Sequence, residues 1–125
     1  MDALHLKDVR TVAVPVADQD RALAFYRDTL GFEVRLDAVL GGELRWIEVA
    51  PPGANTSVAL VVAGDGVPAG VDTGIRLVTG DAAADFAALK GAGVVMNTDL
   101  LLWEGVPPMF SFRDPDGNTL YVAEG

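Results

Sequence analysis

The sequence predicts an α+β fold: two tandem βαβββ modules with mixed sheets and a shared cavity between them. Two internal echoes carry that reading. Arg113-Asp114-Pro115-Asp116-Gly117-Asn118 has a fainter copy in Val49-Ala50-Pro51-Pro52-Gly53-Ala54-Asn55. Both segments join one β-like run to another through a Pro-x-Gly turn, and their glycines stand 64 residues apart. Thr11 to Asp18 runs from a strand into a helix, and Gly74 to Asp81 does the same 63 residues later. A period of about half the chain marks a duplicated unit, and a duplicated sheet unit tends to hold a cavity between its halves.

The elements follow in order. Thr11 to Val16 alternates as a strand, with Val12, Val14 and Val16 on one face. Asp18 is a good N-cap, and Leu23, Tyr26 and Leu30 recur at helical spacing until Gly31 stops the helix. Phe32 to Val39, Leu44 to Ala50 and Ser57 to Val62 read as three strands, separated by Gly41-Gly42 and by Pro51-Pro52-Gly53. After a glycine-rich connector, Gly64 to Gly70, the order repeats. Gly74 to Thr79 is a strand, and Asp81 caps a helix carrying Phe86 and Leu89 that ends at Gly91 and Gly93. Val94 to Trp103 contains a strand of uncertain start. Pro108 to Arg113 and Thr119 to Ala123 flank the second Pro-x-Gly turn. The modules span about 9–63 and 72–125 of one domain.

Composition narrows the chemistry. A formal charge of −9, from 18 acidic and 9 basic residues, argues against a nucleic-acid backbone or an anionic membrane as partner. The absence of cysteine excludes disulfides, thiolate metal sites and cysteine nucleophiles. With His5 as the sole histidine, no Ser-His or Cys-His pair forms. The Gly64–Gly70 segment lacks the Lys-Ser/Thr of a phosphate-binding loop. Met1 to Asp8 has no apolar core of signal-peptide length, and no run is long enough to span a bilayer. A soluble cytoplasmic protein is the expectation.

Two segments resemble the vicinal oxygen chelate superfamily, which includes glyoxalase I, extradiol dioxygenases, and the bleomycin and fosfomycin resistance proteins. One is Val14-Pro15-Val16-Ala17-Asp18 leading to Arg21-Ala22-Leu23-Ala24-Phe25-Tyr26-Arg27-Asp28-Thr29-Leu30-Gly31-Phe32. The other is Phe112-Arg113-Asp114-Pro115-Asp116-Gly117-Asn118. The resemblance covers nearly the whole chain. It implies paired βαβββ modules around a ligand cavity and, for two modules in one chain, a homodimer. It speaks to fold rather than chemistry. The aromatic residues of the first segment have a plain reading as helix packing, and Asp-Pro-Asp-Gly as a hairpin turn.

Metal-dependent members of the superfamily place His or Glu on the first and last strand of each module. The repeat carries those positions onto Thr11, Ala59, Gly74 and Tyr121, with Leu60 the alternative to Ala59. These residues lack the imidazole and carboxylate donors that a divalent metal of this kind needs. No metal and no cofactor are expected.

Strand alternation then assigns the cavity face. Thr11, Ala13 and Pro15, then Gly74, Arg76 and Val78, then Thr119 and Tyr121 point inward. So do Trp46 and Glu48, opposite Ile47 and Val49. Aligning the two Pro-x-Gly turns makes Phe110 and Phe112 the counterparts of Trp46 and Glu48. Thr11, Trp46, Glu48, Arg76, Phe110, Phe112 and Tyr121 are thus the expected ligand-binding set, an aromatic pocket with two charged groups. The facing of Trp103 is left open. Three functions fit. One is a metal-free protein sequestering an aromatic or amphipathic small molecule. Another is an enzyme with Glu48 as general base and Tyr121 or Arg76 steadying an oxyanion. The third is a regulatory dimer with a vestigial cavity.

Overall fold

Local preferences place each element. In the computed structural model, which describes residues 4–125, strand β1 (Thr11–Val16) leads into helix α1 (Gln19–Ala24). The first three residues of the N-terminal stretch read above lie outside the described region. Asp18 caps α1 by accepting from the Arg21 amide at 3.1 Å. The helix then widens into one π-helical turn, Phe25–Thr29, closed by Leu30 N–H to Phe25 C=O at 3.1 Å. Gly31, at φ +74°, ends it in a conformation open to glycine. Strands β2 (Glu33–Leu40), β3 (Leu44–Ala50) and β4 (Ser57–Val62) complete the first module.

The second module repeats the order with β5 (Asp72–Thr79), α2 (Ala82–Gly91), β6 (Val95–Met96), β7 (Met109–Arg113) and β8 (Thr119–Glu124). The strand expected within Val94–Trp103 shrinks to two residues. Beyond it, Asn97 and Thr98 bond Ser111 of β7, an isolated bridge joins Leu101 to Met109, and the Trp103 segment follows as a loop. The sheets run β1-β4-β3-β2 and β5-β8-β7-β6. The last strand of each module pairs parallel with the first and antiparallel with the third. Neither sheet closes on itself. Among the described residues, no helix is long and apolar enough to cross a membrane.

One core serves both modules. Val14, Val16, Ile47, Val49 and Leu60 of the first sheet cluster with Phe110, Phe112, Leu120 and Val122 of the second. Both helices lie on this side. Phe25 reaches across to Phe112 (ring centroids 6.5 Å), and Phe86 packs edge-on against Phe110 (5.4 Å). The faces bearing Trp46 and Glu48 on one sheet, and Arg76 and Tyr121 on the other, are therefore the outward ones.

This corrects the placement of Phe110 and Phe112. They are core residues, 2% and 0% exposed, on the face opposite Ser111; Phe110 only backs the recess beside Tyr121, and Phe112 borders a separate one next to Leu30 and Leu89. The reason is a one-residue difference between the modules. Glu48 pairs with Ala59, and Ser111 with Tyr121, so eleven steps separate the first pair and ten the second. The first turn is one residue longer, and its glycine is not the equivalent of Gly117. Because side chains alternate with period two, a slip of one exchanges the faces. Burying a phenylalanine stabilises by about 1.5–3 kcal/mol, so the core register is strongly preferred for the pair.

The Asp114–Asn118 turn does more than join two strands. Asn118, fully buried, donates to Pro15 C=O at 2.8 Å and accepts from the Gly70 and Val71 amides. Tyr26 donates to Asp114 at 2.8 Å, and Arg21 pairs with Asp116 at 2.8 Å. The turn of one module thereby clasps the first strand and helix of the other.

Candidate functional site

The outward face of the first sheet centres on Glu48. The residue is 7% exposed, and both carboxylate oxygens are occupied: Ser57 Oγ donates at 2.6 Å and Trp46 Nε1 at 2.8 Å. Those two donors hold its pKa below the ordinary carboxylate value, against the opposing effect of burial and with help from the Arg10 charge. Arg10, Arg35, Leu36, Asn55 and Ser57 join it around a polar recess of about 260 Å³. Thr11, at the edge of this sheet, donates to the Ser57 carbonyl at 3.2 Å.

The outward face of the second sheet is different in kind. Arg76 and Tyr121 are direct neighbours on β5 and β8. The guanidinium lies 4.5 Å from the Tyr121 ring centroid and donates to Gly74 C=O at 2.8 Å. Tyr121 O–H donates to Asp72 at 2.6 Å. This bond, with the negative charge behind it, raises the Tyr121 pKa and keeps its proton engaged. Leu101, Trp103, Met109 and Ser111 complete a mostly apolar recess of about 240 Å³ with Arg76 and Tyr121. Trp103, 61% exposed, projects from the loop beyond the Leu101 bridge. Strand alternation could not face this side chain, because it is not on a strand.

The expected single pocket is divided. Within one chain, Trp46, Glu48 and Thr11 belong to the first outward face, and Arg76 and Tyr121 to the second. Phe110 and Phe112 lie in the core between them. Glu48 and Arg76 line different recesses and, among the described residues, form no ion pair. A further groove of about 660 Å³ lies between the Pro51–Val58 segment and β5, and reaches Arg76 from its other side.

The positions that would hold a metal in this architecture do not fit one. Ala59 lies opposite Glu48 on the outward face, while Leu60 is in the core. Ala59 and Gly74 bring no donor. Gly74 also sits at φ +69°, where a histidine or glutamate would be strained. The Thr11 and Tyr121 hydroxyls are both spent as donors within the protein. Among the described residues, no three His, Cys, Asp or Glu side chains come together to hold an ion.

Residues 9–122 match the family model described as Glyoxalase/Bleomycin resistance protein/Dioxygenase superfamily. The chain belongs to that superfamily. Among solved structures, a member of the glyoxalase/bleomycin resistance protein/dioxygenase superfamily from Sphaerobacter thermophilus DSM 20745 is 36% identical, with TM-score 0.91 over 98% of this chain and 100% of that one. TnmS3, an antibiotic binding protein from Streptomyces sp. CB03234, is 34% identical, with TM-score 0.84 over 98% of both chains. Protein YetH of Bacillus subtilis (strain 168) is 29% identical over 95% of this chain and 99% of its own length. Membership in the glyoxalase/bleomycin resistance superfamily accounts for the duplicated βαβββ unit, and it leaves the chemistry to the outward faces.

Proposed function

We propose that the protein binds a small planar aromatic or amphipathic compound without transforming it, and does so independently of metal. The observation that carries this reading is the recess walled by Trp103, Tyr121, Met109 and Leu101, an apolar slot with a few polar groups at its edge. A related protein with the same fold, TnmS3, is described as antibiotic binding, which supports the binding class. The enzymatic alternative is opposed by the state of Glu48 and Tyr121, and Arg76 by itself supplies no base. Glu48 has both oxygens occupied and a lowered pKa, so it is a weak base. The raised pKa of Tyr121 and its bond to Asp72 make it a poor source of protons for a developing oxyanion. The reading includes a homodimer in which a second copy lays its Glu48-bearing face toward this recess, reuniting the two halves of the site. A cytoplasmic location fits a cysteine-free chain.

Isothermal titration with 2-naphthamide tests the reading. We expect measurable binding with no change in the recovered compound, and about tenfold weaker binding for Trp103→Ala. Binding of equal strength in Trp103→Ala, or conversion of the compound, would refute it.

A further inference from the structure

We infer that the natural ligand carries an anionic group, a carboxylate or similar planar oxyanion, beside its aromatic rings, and that Arg76 receives it. This rests on the binding reading above and names the class of compound.

Among the described residues five cations, Lys7, Arg10, Arg76, Lys90 and Arg113, form no ion pair, and Arg76 is the one of them that lines the apolar recess. With 18 acidic residues against 9 basic ones, a free guanidinium should readily find a carboxylate. Arg21, Arg27, Arg35 and Arg45 each do so at 2.6–3.0 Å. Arg76 has no acid within ion-pair distance among the described residues. Asp72 is the acid whose pKa feels the Arg76 charge, yet its oxygens are taken by neutral donors: the Tyr121 hydroxyl at 2.6 Å and the Gly74 amide at 3.0 Å. The Arg76 head is nevertheless fixed. It lies over the Tyr121 ring and gives one N–H to Gly74 C=O. A guanidinium has five N–H donors in a planar fork, which leaves four for another partner. A positioned fork with no ion-pair partner, at the wall of an apolar recess, matches a carboxylate in a bidentate arrangement.

Size sets the rest. A dry cavity of about 150 Å³ accommodates benzene. The recess, at about 240 Å³ and open on one side, has room for a second fused ring. Trp103 and Tyr121 line the recess together with Arg76, whose guanidinium covers one face of the Tyr121 ring, so an aromatic ligand and its charged substituent would meet the same wall.

The test compares 2-naphthoate with 2-naphthamide, which share shape and differ in charge, by isothermal titration at physiological salt. The wild-type protein should bind the acid about tenfold more tightly than the amide, the scale of one charge-assisted hydrogen-bonded pair. Arg76→Gln should bring that ratio to about one, and Arg76→Lys should retain part of it. Circular dichroism melting checks that each variant is folded. Equal binding of acid and amide by wild type, or a ratio that survives Arg76→Gln, overturns the inference while the binding function stands. Failure of both compounds to bind overturns the two together.

Discussion

Glu48 shows how local bonding sets the role of one side chain. Its carboxylate accepts from Ser57 and Trp46 within a nearly closed site, so ionisation strengthens two hydrogen bonds and holds the pKa below the ordinary carboxylate value. The sign follows directly. A group with a lowered folded pKa stabilises fully above its unfolded value and loses that contribution as pH falls through the folded one. At pH 7, Glu48→Gln should unfold with about 1–2 kcal/mol less free energy than wild type. The gap should close in acid below the folded pKa. Urea denaturation from pH 7 to pH 3 measures this; a constant gap would show that the charge does not matter. The sequence pointed to Glu48 through strand alternation alone. Its Ser57 donor was not legible, because it reaches Glu48 from the neighbouring strand.

At the level of elements, the Asp114–Asn118 turn shows the largest difference between appearance and role. As a string it is a hairpin device, with Gly117 at φ +82° supplying the reversal. In the fold its polar side chains leave the hairpin and tie β1 and α1 to the second module. Asn118→Ala would remove a fully buried side chain, orphaning the buried Pro15 carbonyl and losing the part-buried bonds from the Gly70 and Val71 amides, and should cost about 3 kcal/mol. Tyr26→Phe removes one bond to Asp114 and should cost about 1–2 kcal/mol. Burial, and then the neighbouring Asp114, hold the Tyr26 phenol well above its ordinary pKa, so it stays a neutral donor. Equilibrium unfolding of both variants checks the order of these effects. The reverse order would mean that Tyr26, not Asn118, is the main tie.

For the whole molecule, the packing of two helix faces into one core forces the other faces outward. The first sheet then exposes Leu36, Leu40 and Leu44 on the same side as Trp46 and Glu48. The second exposes Leu102 and Trp103 beside its recess. Apolar faces of this kind are best covered, and an eight-residue edge strand such as β2 invites a partner. We expect a homodimer by light scattering at tens of micromolar, and a shift to monomer for Leu44→Glu. A monomeric wild-type mass at that concentration would set the dimer aside.

The amino-acid string determined the duplicated unit, the capped helices, the glycine stops and most strands, because each is written in short-range periodicity and turn chemistry. It also determined that Trp46 and Glu48 share a face, since one strand suffices to say so. Three matters were decided only in the tertiary structure. The register of β7 depended on a turn one residue longer in the first module than in the second, and a single residue exchanged Phe110 and Phe112 for Ser111 on the outward face. The facing of Trp103 depended on a loop that no periodicity governs. The division of one expected pocket into two recesses depended on which sides of the sheets turned inward. Packing of the partly buried Phe25 and Phe86 against the buried Phe110 and Phe112 fixed that choice, through contacts between residues far apart in the chain.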